Sequence, residues 1–198
     1  VAGNSLLSAI NGRNRLTSQL AELVQVRNAA KERVSKVDPD KRGDPLELQA
    51  QLILYDAAPK LWPVQGPVTI TSGFGQRQDP LESWLSAFHY GIDISAWYGT
   101  PVYATREGKV GFAGWEGNLG WTVEIQHEMG FKTLYGHNRA ELAVRTGDMV
   151  KAGQRIAYAS DTGRATGPHV HYEIILNGKS LDPMKFLELP GGSRVQSQ

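Results

Sequence analysis

The sequence predicts a mainly β fold, an antiparallel sandwich or open barrel, preceded by an α-helical segment. Three observations predict it. Beyond Trp62, short alternating or β-branched runs are separated by Gly and Pro, as strands and tight turns require. Within that region, the stretch from Gly99 to Ala104 followed by Gly108 and Val110 is echoed by the stretch from Gly147 to Gly153 followed by Ile156. Both copies read as strand, glycine turn, strand, so a pseudo-symmetric pair of hairpins is expected. Before Lys60 the pattern is different: positions 5–37 contain no proline, and Gly12 is their only glycine.

The N-terminal region comes first. One heptad register places Leu6, Leu20 and Val34 at a, with Ala9, Leu16, Leu23, Ala30 and Val37 at d. That stripe predicts a long amphipathic helix, which packs on its own chain or forms a coiled coil. Arg13 and Arg27 at the remaining a positions weaken a strict coiled coil. The stripe also offers 5–37 as a surface for a partner or for self-association. Asp38 to Gly43 is a breaker. Asp44 as N-cap and Pro45 at the first helical position start a shorter helix that reaches about Asp56, before Pro59 and Pro63. The expected division is therefore 1–60 helical and coiled-coil-like, 61–190 β-rich, and 191–198 a flexible tail.

In the β-rich region the expected strands are 68–72, 102–104, 108–114, 122–127, 132–137, 155–159 and 169–176. The last carries His169 and His171 two residues apart. Side chains alternate along a strand, so both imidazoles share one face, with Val170 and Tyr172 on the other. Upstream, His89 and Asp93 are four apart, and in an extended segment they too would share a face. Gly91 between them marks a bend or a close approach of another strand.

Composition narrows the chemistry. Of 198 residues, 40% are hydrophobic and 21% charged, as in ordinary globular proteins. A net charge of +1 gives no electrostatic case for nucleic acid. There is no cysteine, so disulfides and thiolate metal sites are excluded, and any metal must be held by His, Asp or Glu. No apolar run is long enough to span a membrane. The chain starts at Val1 with no visible signal peptide, so a targeting segment or membrane anchor upstream is expected.

His89, Asp93 and one of His169 and His171 make an N, N, O donor set, the three-ligand pattern of a catalytic zinc site. The other member of the pair and His137 are candidates for proton transfer, an imidazole titrating at about 6.5 being suited to it. Thr133, Tyr135 and His137 alternate and are expected on one strand face. His127, the fifth histidine, reads as structural. Glu173 follows on the His169 and His171 face, as a partner that orients an imidazole or as a surface residue. Asp161, Thr162 and Gly163 match the triplet of aspartic proteases, but the second copy that a carboxylate dyad needs is missing, so they read as a turn. No Gly-x-Ser-x-Gly elbow, phosphate loop or dinucleotide fingerprint is present.

These segments together resemble the LytM/lysostaphin-type zinc metallopeptidases, family M23, of bacterial cell walls. The likeness covers about Trp62 to Leu187. It is carried by Thr71 to Arg77, His89 to Asp93, Gly99 to Val102, Leu134 to His137, Thr162 to His171, and Asp182 with Pro183, in the family's order and spacing. The resemblance implies a LytM-type antiparallel β-sandwich or open barrel. It implies one zinc ion per chain on His89, Asp93 and His171, with His137 and His169 as base and oxyanion stabiliser. Arg77 would buttress the site. It further implies hydrolysis of peptide cross-links in peptidoglycan, with stem peptides as partner, at an extracytoplasmic place in the bacterial envelope. The helical N-terminal region resembles envelope-anchored enzymes rather than glycyl-glycine lysins, which points to D,D-endopeptidase action between stem peptides. The competing expectation is a non-catalytic envelope scaffold or amidase activator on the same fold. The intact set of five site residues favours catalysis.

Overall fold

The computed structural model describes residues 45–80, 82 and 84–187. The heptad stripe at 5–37 and the tail at 191–198 lie outside the described residues. The chain divides after Asp56 into two units, and each is described by itself. In the first, a helix α1 spans Pro45–Ala57. Proline at the first helical position suits it, because that N–H has no intrahelical acceptor.

The second unit is a set of short antiparallel strands. They are β1 (Ile70–Ser72), β2 (Gly75–Gln78), β3 (Ser86–His89), β4 (Ile92–Ser95), β5 (Pro101–Tyr103), β6 (Gly108–Trp115), β7 (Trp121–Gln126), β8 (Phe131–Asn138), β9 (Met149–Val150), β10 (Arg155–Tyr158), β11 (His169–Leu176) and β12 (Lys179–Leu181). Eight form one sheet in the order β1-β4-β11-β8-β7-β6-β9, with β12 added beside β11. β5 with β10, and β2 with β3, make two smaller sheets. The main sheet does not close on itself, so the fold is an open sandwich rather than a barrel.

The core lies on one face of the main sheet. Ile92, Ile94, Val170, Tyr172, Ile174, Tyr135, Val123, Ile125 and Val110 are fully buried there, as are Val102 and Ile156 from the β5–β10 sheet. Each such side chain contributes about 1.5–3 kcal/mol relative to exposure. A polar seam runs through this core. The Thr105 hydroxyl meets the hydroxyls of both Tyr135 and Tyr172 at 2.9 Å, joining the segment after β5 to β8 and β11.

The hairpin echo folds differently from expectation. β5 pairs with β10, and β6 pairs with β9, so each copy pairs with the other rather than with itself. Turn-like glycines gave the signal for local hairpins. The pairing is instead crosswise, and loop bonds extend it: Gly153 N–H donates to Ala104 O, and Gly147 N–H donates to Val110 O, both at 2.8 Å.

β8 carries the other departure. Tyr135 pairs with Val123 and Asn138 with Trp121, so Gly136 and His137 together oppose the single residue Thr122 of β7. That is a β-bulge, and His137 sits in it at φ 58°, a left-handed conformation uncommon for a side-chain-bearing residue. The bulge interrupts alternation. Thr133 and Tyr135 remain in the core seam, while His137 turns to the opposite face.

Candidate metal centre

Three elements build the site. β11 supplies His169, His171 and Glu173 from one face, as period-two alternation requires. β4 lies beside β11 in register, His171 opposite Asp93. β3 ends at His89, and the chain bends through Tyr90 and Gly91 into β4. The bend matters. In one extended strand, residues four apart stand about 13 Å from each other, too far for a shared ion. Here His89 Nε2 and Asp93 Oδ1 are 3.1 Å apart because the segment is not one strand. Gly91 permits the bend's close packing: a Cβ there would collide with Tyr172 O of β11.

His89 Nε2 lies 3.1 Å from His171 Nδ1, and His171 Nδ1 lies 2.9 Å from Asp93 Oδ1. Among the described residues, His89, Asp93 and His171 are the group of His and carboxylate donors that converges closely enough to hold one metal ion, and all three are buried. Outer contacts orient each ligand. His89 Nδ1–H donates to Gly73 O at 2.7 Å, and His171 Nε2–H donates to Glu173 Oε1 at 3.0 Å. Arg77 donates to Asp93 Oδ2 at 3.0 Å and also meets the Ser72 hydroxyl. Glu173 is therefore a buried partner of His171, not a surface group.

The donor set fits a cation. With both outer ring nitrogens donating, the two inner nitrogens present lone pairs to each other and to a carboxylate oxygen. Three acceptors at this separation repel unless something positive lies between them. The neighbouring carboxylates favour positive charge at this point, as a bound cation or as a proton on His171 that the cation would displace. Burial alone would raise Asp93, but hydrogen bonds and charge from His171 and His89 hold it well below the usual carboxylate range. Burial alone would lower His171, but Asp93 and Glu173 outweigh it and push the imidazole up to about 9.

The remaining two histidines flank this trio. His169 Nε2 is 3.6 Å from Asp93 Oδ1, and its Nδ1–H donates to Gly167 O at 2.8 Å. The rings of His137 and His169 stand 4.5 Å apart. His137 Nδ1–H donates to Thr162 O at 2.7 Å. Burial, opposed by that backbone bond and reinforced by the neighbouring imidazoles, lowers His137 to about 4. His137 thus keeps Nε2 as a lone pair, while His169 turns its Nε2 toward Asp93. His127 lies apart, its Nδ1–H donating to Glu107 O and its Nε2 meeting the Thr133 hydroxyl, in keeping with a structural role.

All five histidine and aspartate candidates line one groove of about 560 Å³. Phe88 and Tyr90 form an aromatic wall beside His89, their rings 5.0 Å apart. Asn118, Leu119 and Arg164 line it as well. Arg164 makes a bidentate ion pair with Asp79 at 2.7 and 2.9 Å. Residue types alone gave no signal for the Asp79–Arg164 pair or for Thr162, whose partners are far away in the chain.

The profile of peptidase family M23 matches residues 87–183. The chain is 42% identical over 116 residues to the DD-carboxypeptidase/endopeptidase Mpg of Neisseria meningitidis, covering 58% of this chain and 26% of that protein. It superposes on a zinc-containing peptidase from Vibrio cholerae with a TM-score of 0.59 and 38% identity, covering 67% of this chain and 41% of the other. It superposes on the catalytic domain of lysostaphin from Staphylococcus simulans with a TM-score of 0.53 and 32% identity, covering 60% of this chain and 90% of the other. The chain spans from 26% to 34% of the length of the curated relatives it matches.

Proposed function

Because the chain belongs to peptidase family M23, we propose that it is a zinc-dependent endopeptidase that hydrolyses peptide cross-links of bacterial peptidoglycan between stem peptides. The observation that carries the proposal is the convergence, in one groove, of the buried donor atoms of His89, Asp93 and His171 with the imidazoles of His137 and His169. In this reading His89, Asp93 and His171 hold one zinc ion. Bound zinc supplies Lewis acidity, polarising the scissile carbonyl and bringing the pKa of water toward about 7.

The protein's own groups do the rest. Glu173, Gly73 O and Arg77 hold the ligands in the orientation described above, which keeps the inner nitrogens as lone pairs. His137 Nε2 accepts a proton from the attacking water, and its Nδ1–H stays committed to Thr162 O. His169, when protonated at Nε2, donates toward the developing oxyanion. His89, Asp93, His137 and His171 are themselves buried in the groove wall. Two relatives support the choice of bond: a DD-carboxypeptidase/endopeptidase and a peptidoglycan DD-endopeptidase. Such a substrate places the enzyme in the cell envelope, outside the cytoplasm.

The test is digestion of purified sacculi followed by mass spectrometry of the released muropeptides, with His137→Ala as control. Loss of cross-linked dimers with wild-type protein, absent in the variant, is expected, and the fragment masses identify the bond. Unchanged dimers with zinc-loaded wild-type protein would overturn the proposal.

A further inference from the structure

The turn at Asp161, Thr162 and Gly163 has no acid dyad to join, yet it touches three parts of the site. The Thr162 hydroxyl donates to Asn138 O at 2.6 Å and accepts from Trp121 N–H at 3.1 Å. Its carbonyl accepts from His137 Nδ1–H. The turn is seated closely against the β6–β7 connection. Gly163 has φ 80°, and a Cβ there would collide with Gly120 N and press on Asn118 O. Arg164 N–H donates to Asn118 O at 2.7 Å.

His137 needs such support. It stands in a bulge at positive φ, so sheet alternation does not determine where its ring points. A carbonyl can only accept, so Thr162 O admits the Nδ1–H tautomer and refuses the other. The carbonyl belongs to a loop, and it is held still because the same residue's side chain is bonded to Asn138, the residue after His137. From this geometry we infer that Thr162 is a positioning residue: it fixes the tautomer and the aim of His137, so that Nε2 faces the groove as a proton acceptor. The inference rests on the reading of His137 as the base and adds the device that makes it one.

The test separates the two. In wild-type protein labelled with ¹⁵N-histidine, zinc-loaded and zinc-free, long-range ¹H–¹⁵N correlation reads the His137 tautomer directly. A single Nδ1–H form is expected, and an Nε2–H form or an even mixture would overturn the inference before any variant is made. Thr162→Val keeps the shape but removes both side-chain bonds. It is expected to mix the tautomers and lower kcat about tenfold or more, with KM and bound zinc unchanged. Thr162→Ser, which restores the hydroxyl, is expected to recover both. Equal loss in the Ser and Val variants, or an unchanged tautomer and kcat in the Val variant, would refute the positioning role. If His137→Ala turned over normally, the reading of His137 as base would fail instead, and the tautomer measurement would still judge Thr162.

Discussion

β11 and β8 lie side by side in the sheet, and both deliver histidines to the groove, but by opposite means. β11 is regular. His169, His171 and Glu173 line one face, and Val170, Tyr172 and Ile174 fill the core on the other. β8 follows the same alternation only as far as Tyr135. The bulge at Gly136 and His137 then reverses the next side chain. The difference teaches what a strand can and cannot do. A regular face offers groups at about 7 Å intervals along one line. Surrounding a single point needs a group from another direction, and that requires a break in the ladder.

The comparison can be broken most sharply at its two histidines. His171→Ala is expected to lose both zinc, measured by atomic emission on the purified protein, and activity. His137→Ala is expected to keep a full equivalent of zinc while turnover falls about 10²–10⁴-fold. Equal zinc loss in both would erase the distinction between the two strands. A smaller effect is expected at the glycines. Gly91→Ala forces a methyl onto the backbone of β11 and should cost about 1–3 kcal/mol in urea unfolding. At Gly136 an added Cβ meets its nearest atoms at 3.4 Å, an ordinary contact, so Gly136→Ala should change stability by about 0.5 kcal/mol or less. A reversed order would mean that the bulge, not the β4–β11 seam, is the tight place. Between the two glycine changes lies Tyr172→Phe. It removes a hydroxyl from the core face of β11 and should cost about 1 kcal/mol, with zinc content unchanged. A loss of zinc there would show that the two faces of β11 are not independent.

Much of this was legible in the residues. The His-x-His pattern inside a β-branched run places two imidazoles on one face, and the structure has them so. The mainly β, open-sandwich class followed from glycine-punctuated short runs. The parts that were not legible share a physical cause: they depend on partners distant in sequence. His89 and Asp93 converge through a bend, not along a strand, and only the packing of Gly91 on Tyr172 explains why. β2 and β3 are four residues each and carry exposed side chains such as Phe88, so no apolar alternation marks them, and β4, though Ile92 and Ile94 alternate with polar residues, is only four residues long. The crosswise pairing of β5 with β10 and β6 with β9 cannot be told from two local hairpins by turn residues alone. His137 is displaced by a bulge whose extra residue is visible only against β7. Thr162 looked like an ordinary turn residue because its donor and acceptor partners are on β7 and β8.

One feature of the sheet also governs the order in which the molecule can be made. β11 sits between β4 and β8, yet it emerges from synthesis after both. His89 and His171 are separated by 82 positions. Until β11 arrives, β4 and β8 have an unpaired edge each, and the ligand set is one nitrogen short. Insertion of that strand closes the sheet's centre and completes the metal centre in a single event. A half-made chain therefore holds neither the closed sheet nor the full donor set.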